Sequence, residues 1–512
     1  MIETMRGSES LSEKILVAGL FLCVTSISWS PFGTSLGMGL IALSWFISLF
    51  TKQLKAPTNR LLLASMVGLF IWHVTGLLWT ENIAEGFATL QIKLPLLIVP
   101  LSLLTVKWNS KMWMDRILKA FALSVFFAAA TSLILSLIKT KHGVSLHPSE
   151  WSPFISHIRM GILLAVGWGG ILIYKGDKRS LLLIIYAVVA GLFIWQTQSV
   201  TGAVMVAITT VLSLQNRWRI AVLGGSFIGC FWLFFTIMPG APLTTLPTHT
   251  AWGSPYIHHT DRVLEENGHK VWSYLAWEEM RTEWNLQSKV GFNAKDSKGH
   301  EIKYTLMRYL TSKGEPKDGL AVRNLSLKDI RAIEFGSTSI KQATASGLAL
   351  RLDELRFEVG NFIDGGNPSG NSVTQRWEYF KVGIYIAKNN LLFGVGTGDL
   401  PDSFEKAYDE LGTRLSPQFR HRTHNQFIAW WIGGGLIALI LFILIFVFSW
   451  KRDVRTKRLG RVVWWVLAIS CLAEDTFETQ AGITFAVFAI VLFSLYDRRS
   501  QSLTFGKRSA AG

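Results

Sequence analysis

Cationic and imidazole side chains gather immediately before one apolar stretch. The segment from 414 to 424 reads RLSPQFRHRTH, setting Arg414, Arg420, His421, Arg422 and His424 ahead of the run FIAWWIGGG. A cationic cluster at the mouth of a membrane helix suits an anionic partner, such as a phosphate or pyrophosphate at headgroup depth. Ordinary lipid phosphates would satisfy the same charges without any chemistry. His424 and the following Asn425 stand at the expected water–lipid boundary. An imidazole there titrates near neutral pH and can serve as a base or a hydrogen-bond donor, although most such histidines are structural.

Three further features could take part. Arg376 lies in TQRWEYFKVGIYIAKNNLLFGVGTG, a helical pattern that ends in the turn Gly394-Val-Gly396-Thr-Gly398. No clear strand precedes these glycines, so a dinucleotide site is a poor reading. A tight turn, or close backbone approach to a ligand, explains them better. His157 and Arg159 (ISHIRMG) open an apolar run, where an ionisable residue facing a helix bundle is a functional candidate and snorkelling to the interface is the plain alternative. Lys93 has the same ambiguity. Glu474, Asp475 and Glu478 are the nearest acidic group; they could bind a cation, but fixing topology or pairing with arginines is the expected role. No His/Asp/Glu set at metal spacing is evident, and neither a metal nor a cofactor is expected. Cys23, Cys230 and Cys471 each sit in an apolar run without a CxxC partner, as buried small hydrophobes do.

The elements that must position these residues are membrane helices. Of 512 residues, 50% are hydrophobic and only 17% are charged; the mean hydropathy is +0.32. That balance is too apolar for a soluble chain of this size. The net charge of +16 and the 21 tryptophans fit cytoplasmic Lys/Arg loops and interfacial anchors better than nucleic-acid binding. A span needs roughly 20 apolar residues. Runs beginning near Lys14, Gly33, Leu61, Leu94, Ile117, Arg159, Leu181, Thr201, Ile220, Phe427, Val462 and Ile483 give about twelve spans. The run from Leu94 to Val106 is short, carries Pro95 and Pro100, and is expected to be tilted, broken or re-entrant. The first run is read as a retained helix, not a cleaved signal. Lys/Arg-rich alternate loops put both termini in the cytoplasm and the long polar stretch before Asn425 outside. The resulting organisation is an N-terminal membrane domain (1–238), a loop domain on the outer side (239–426) and a C-terminal membrane domain with a cytoplasmic tail (427–512). Within the loop domain, helices are expected at Glu279–Leu286, Thr305–Tyr309, Ser326–Phe335 and Thr374–Lys388, and a mobile Gly/Asn/Pro-rich connector at Asn361–Asn371.

Several stretches together resemble the O-antigen ligase family: TGLLWTENIAEGFATLQIKLPLLIVPLSL (75–103), HIRMG (157–161), QRWEYFKVGIYIAKNNLLFGVGTGD (375–399), THNQF (423–427) and AEDTFETQAG (473–482). The insertion that includes YTLMRYLTSKG (304–314) looks like the version in Bacteroidetes-type members. The resemblance implies an all-α, GT-C-like polytopic membrane protein with a large, mainly helical periplasmic loop domain. It implies a metal-independent glycosyltransferase of the inner membrane that moves a glycan from undecaprenyl pyrophosphate to lipid A–core among membrane lipids. By the same resemblance Arg376 binds the pyrophosphate and His424 acts on the acceptor. His157, Arg159, Arg420, Arg422, Asn425 and Lys93 are the further candidates for binding donor or acceptor. The chain departs from the family pattern at QTQSVTGAV, where Val200 stands in place of an arginine; Arg159, Arg420 or Arg422 would supply that charge. An O-antigen polymerase or a protein O-oligosaccharyltransferase would use the same donor. A flippase would instead show charged or broken mid-membrane helices and a two-fold hydropathy repeat, which the sequence lacks.

Overall fold

The computed structural model describes residues 10–142, 148–173, 179–213, 248–259, 262, 265–266, 269–344, 348–363, 365–450 and 458–495. The expected span from Ile220 to Met238, Cys230, the loop cations Lys175, Lys178, Arg217, Arg219, Lys451, Arg452, Arg455 and Lys457, and the basic tail lie outside these residues. Two compact units divide the chain. One comprises Met1–Leu223, Tyr379–Leu411 and His421–Gly512; the other comprises Gly224–Glu378 and Gly412–Arg420.

The first unit opens with α1 (Leu11–Ser26), α2 (Pro31–Phe50), α3 (Arg60–Thr75), α4 (Ile83–Lys93), α5 (Pro95–Thr105), α6 (Ser110–Lys141), α7 (His157–Ile173), α8 (Arg179–Thr197) and α9 (Val200–Ser213). Side-chain caps set several of the starts: Ser10, Ser30, Asn59 and Asn109 each accept a hydrogen bond from a first-turn amide, which satisfies a donor no helix can pair internally. Pro31 at the first position of α2 helps stop α1 short of Trp29, because proline suits a helix start and not its interior.

Among the described residues, five stretches are long and apolar enough to cross a membrane: Pro31–Phe50, Arg60–Leu78, Ile83–Thr105, Met112–Lys141 and Gln426–Ser449; His157–Leu172, Leu181–Thr197, Val200–Ser213, Leu459–Ala473 and Gln480–Leu495 are shorter apolar helices. The expected short span at Leu94 therefore starts earlier than hydropathy indicated. Asn82 caps a helix at Ile83, and α4 abuts α5 at Leu94, where Pro95 lacks the amide that would continue the ladder. Lys93, which masked this continuity in the sequence, is buried at 1% exposure. Cys23 and Cys471 are buried free thiols.

The second unit holds α10 (Trp277–Gln287), α11 (Ile302–Ser312), α12 (Gly319–Arg323), α13 (Leu327–Glu334), α14 (Ile340–Thr344) and α15 (Leu348–Ile363). A two-residue antiparallel pair, Glu265–Glu266 with His269–Lys270, precedes them. Its core gathers Val271, Met280, Trp284, Leu306, Tyr309 and Ile333. α10, α11 and α13 match the expected loop helices; α12, α14 and α15 were not foreseen. The connector after Asn361 contains Gly365 and Gly370 with left-handed backbone.

The chain continues through α16 (Ser372–Asn389), α17 (Leu400–Glu410), α18 (Gln426–Ser449), α19 (Arg458–Ala473) and α20 (Gln480–Leu495). α18 is kinked by non-helical backbone at Gly434 and Gly435. Trp72 Nε1 donates to the Gly434 carbonyl at 2.7 Å, supplying a partner at the break, as buried backbone in an apolar setting requires.

Candidate functional site

His424 lies in the short segment that leads into α18 and has φ +48°. Left-handed backbone at a non-glycine residue costs on the order of 1–3 kcal/mol and persists only where its surroundings hold it. The neighbours do so. Asn425 caps α18 by accepting from the Ile428 amide at 3.1 Å and donates to the Leu472 carbonyl at 3.0 Å. Tyr379 on α16 packs its ring 5.7 Å from the His424 ring and 5.9 Å from that of His421. Tyr408 on α17 donates to the His421 carbonyl at 2.6 Å.

The His424 imidazole meets the connection between α19 and α20. Its Nδ1 is 3.8 Å from Glu474 Oε2 and 3.8 Å from Asp475 Oδ1. These ligand-type atoms lie within 4.8 Å of one another, close enough either to bias a protonated imidazole or to share a cation. Arg159 on α7 lies in the electrostatic field of Asp475 and Glu474. The fold thus brings Arg159, His424 and the two carboxylates into one neighbourhood. From sequence those carboxylates read first as fixing topology or pairing with arginines, with cation binding as the lesser alternative.

A buried ion pair adjoins this group. Lys93 Nζ donates to Glu478 Oε1 at 2.7 Å and to the Phe477 carbonyl at 2.8 Å, with the Trp430 ring 4.2 Å away. Gln426 donates to the same Glu478 oxygen at 2.9 Å and accepts from the Phe477 amide at 2.6 Å. The other Glu478 oxygen faces Arg422 Nη1 at 3.9 Å. Burial alone would push the Glu478 carboxyl up. The Lys93 ammonium, the Gln426 hydrogen bond and the Arg422 charge outweigh it and hold the group below the usual carboxylate range. Lys93 is therefore enclosed and engaged by groups of the chain itself.

The glycine turn serves packing. The Val395 amide donates to the Ile432 carbonyl at 2.8 Å, and the Leu436 amide to the Leu391 carbonyl at 2.9 Å. Gly394 has φ +74°, and a Cβ there would lie 2.5 Å from the Ile432 carbonyl oxygen. Gly394 thus permits a close approach to the chain's own kinked helix, whereas a Cβ at Gly396 or Gly398 would meet Thr80 or Asn82 ahead of α4. Asp399, just beyond, accepts from the Glu81 and Asn82 amides at 2.9 and 2.7 Å.

The remaining candidates are placed as follows. His157 is the first residue of α7 and is half-buried, as is Arg159. Val200 begins α9 and is exposed; Ser199 before it accepts from the Gly202 amide at 3.1 Å, a capping role. Arg376 on α16 and Arg420 belong to the second unit. Arg376 is exposed, and Arg420 Nε donates to the Leu415 carbonyl at 3.4 Å. Sequence reasoning missed Tyr379, Tyr408 and Gln426, uncharged residues in helical patterns. Glu474, Asp475 and Glu478 were visible as an acidic run, but nothing in the run named their partners.

Residues 327–443 match the family model described as O-antigen ligase. The matched segment contains Arg376, the glycine turn, Arg420, Arg422 and His424, and it ends within α18. Lys93, Arg159 and the 474–478 carboxylates lie outside it. Comparison with curated proteins finds no match to the chain.

Proposed function

We propose that this chain is an O-antigen ligase-type glycosyltransferase. It moves a glycan from undecaprenyl pyrophosphate to a sugar hydroxyl of lipid A–core at the periplasmic face of the inner membrane, with both termini cytoplasmic and without a resident metal. The observation that carries the reading is His424, held in a left-handed conformation against Glu474 and Asp475 within a segment that matches O-antigen ligase. The insertion around Tyr304–Gly314 is the feature by which we group the chain with Bacteroidetes-type members.

The acceptor hydroxyl attacks the anomeric carbon. The new C–O bond forms as the bond to the pyrophosphate oxygen breaks, and undecaprenyl pyrophosphate leaves with the electron pair. Because Nδ1 of His424 faces the carboxylates, we assign Nε2 as the atom that takes the acceptor's proton. Glu474 and Asp475 face the imidazolium that results, an arrangement that orients the base. Arg159 and Arg422 neutralise the charge that develops on the pyrophosphate, the role that the family resemblance implies for Arg376. A preorganised donor in such a role contributes roughly 3–4 kcal/mol. His157 and Asn425 border the acceptor.

The test follows glycan on lipid A–core and on the lipid carrier in a deletion strain complemented with wild type or His424→Ala. The expected result is loss of core-linked glycan, by about 10²–10⁴-fold in rate, with long polymer accumulating on the carrier. Shortened polymer still attached to core would make the chain a polymerase. Unchanged pools would overturn both readings and point to protein acceptors or transport.

A further inference from the structure

The buried pair adjoining the site has a geometry that packing alone does not require. We infer that Lys93, Glu478 and Gln426 form a positioning set that holds Arg422 ready for an anion, so that Lys93 acts through Arg422 without touching substrate. The inference rests on the proposed function in taking that anion to be the donor's pyrophosphate.

Glu478 divides its two oxygens. One receives Lys93 and Gln426 at 2.7 and 2.9 Å; the other is directed at Arg422, 3.9 Å away. The Lys93 ammonium is 1% exposed and covered by the Trp430 ring at 4.2 Å, so it has no path to a ligand. It cancels the carboxylate's charge from the buried side. Arg422, whose side chain is 35% exposed, is then oriented by Glu478 yet keeps most of its charge for an anion from outside. Without Lys93, Arg422 would be the main cation left to the carboxylate and would be drawn onto it. Gln426 ties this set to His424. It is the first residue of α18 and holds both the backbone of Phe477 and the side chain of Glu478, so Arg422 and His424 share one anchor.

The experiment uses the full-length protein reconstituted with a lipid-linked glycan donor and its acceptor. It compares wild type, Lys93→Met, and Lys93→Met/Glu478→Gln, each with Arg422 present or as Arg422→Ala. Three quantities are read: thermal stability, donor KM against kcat, and the reactivity of Arg422 with phenylglyoxal measured by mass spectrometry. The double variant removes both buried charges and keeps a hydrogen-bonding amide beside Gln426, so its fold survives where the single variant's is weakened. The expected result is that Lys93→Met lowers Arg422 reactivity and the double variant raises it severalfold. In both, donor KM rises roughly 10–100-fold, as for other residues that support a ligand-binding group, and neither changes KM further in the Arg422→Ala background. A double variant with wild-type KM and wild-type Arg422 reactivity would overturn the inference whatever its stability, and a loss of stability alone would make the pair structural. So would a KM effect that persists undiminished without Arg422. If wild type transfers no glycan, the proposed function falls, while Arg422 reactivity still decides the positioning role.

Discussion

The two units handle charge in opposite ways. Among the described residues of the second unit, Asp296, Asp329 and Glu283 are tied by partners no more than 40 positions away. Asp296 accepts from the Lys298 and His300 amides at 2.9 and 3.0 Å and from Thr305 at 2.6 Å. Asp329 accepts from Ser326, from Tyr309 at 2.5 Å and from Lys313 at 3.2 Å. Glu283, itself buried, holds the exposed Arg323 with two hydrogen bonds. In the first unit the decisive pair joins Lys93 to Glu478, 385 residues apart, and it is buried. Local pairs finish turns and helix ends and shape the second unit's fold. The distant buried pair instead joins α4 to the α19–α20 connection at the level of His424, where the polar chemistry gathers.

The contrast can be broken most sharply by removing one cation from each unit. Lys93→Met leaves Glu478 buried and poorly compensated and is expected to destabilise the first unit by about 3–5 kcal/mol. Arg323→Met removes an exposed partner and should scarcely move the same unfolding transition. Melting curves of the detergent-solubilised full chain compare the two directly, and equal shifts would erase the distinction.

Acid gives a smaller, graded effect. Burial alone would raise the carboxyls of Asp296 and Asp329. Their hydrogen bonds outweigh it, led by Thr305 for the first and Tyr309 for the second, and hold both groups below the ordinary aspartate range. A carboxyl with a lowered folded-state pKa contributes stability that is fully present above its unfolded value, about 4, and is lost as pH falls through the folded value. Amide hydrogen exchange across 296–334 in the full chain should therefore lose protection gradually below about pH 4. Protection that stays flat to pH 3 would mean these carboxylates are not what ties the segment.

The smallest expected effect is none. Transfer should continue unchanged in excess EDTA, with His424 acting as a base beside its two carboxylates. A loss of rate restored by a divalent cation would convert His424, Glu474 and Asp475 into a metal site and remove His424 from proton transfer.

The sequence by itself determined the membrane class, because apolar runs near the thickness of a bilayer admit few other folds. It also marked α10, α11, α13 and α16, whose helical periodicity is local. It singled out the His424 segment, because cations and imidazoles ahead of an apolar helix are visible one residue at a time. Tertiary structure decided the rest. Hydropathy began the span at Leu94 because it scored Lys93 as a break, whereas the helix runs from Ile83 with Lys93 facing a partner 385 positions away. The glycine turn offered either a ligand or a tight turn, and only the kink at Gly434 and Gly435 made its close neighbour the chain itself. The carboxylates at 474, 475 and 478 read alike in sequence. Folding turned two toward His424 and one toward Lys93 and Arg422, and no local signal encodes that division, since a buried charge is assigned by whichever opposite charge the packing brings within reach.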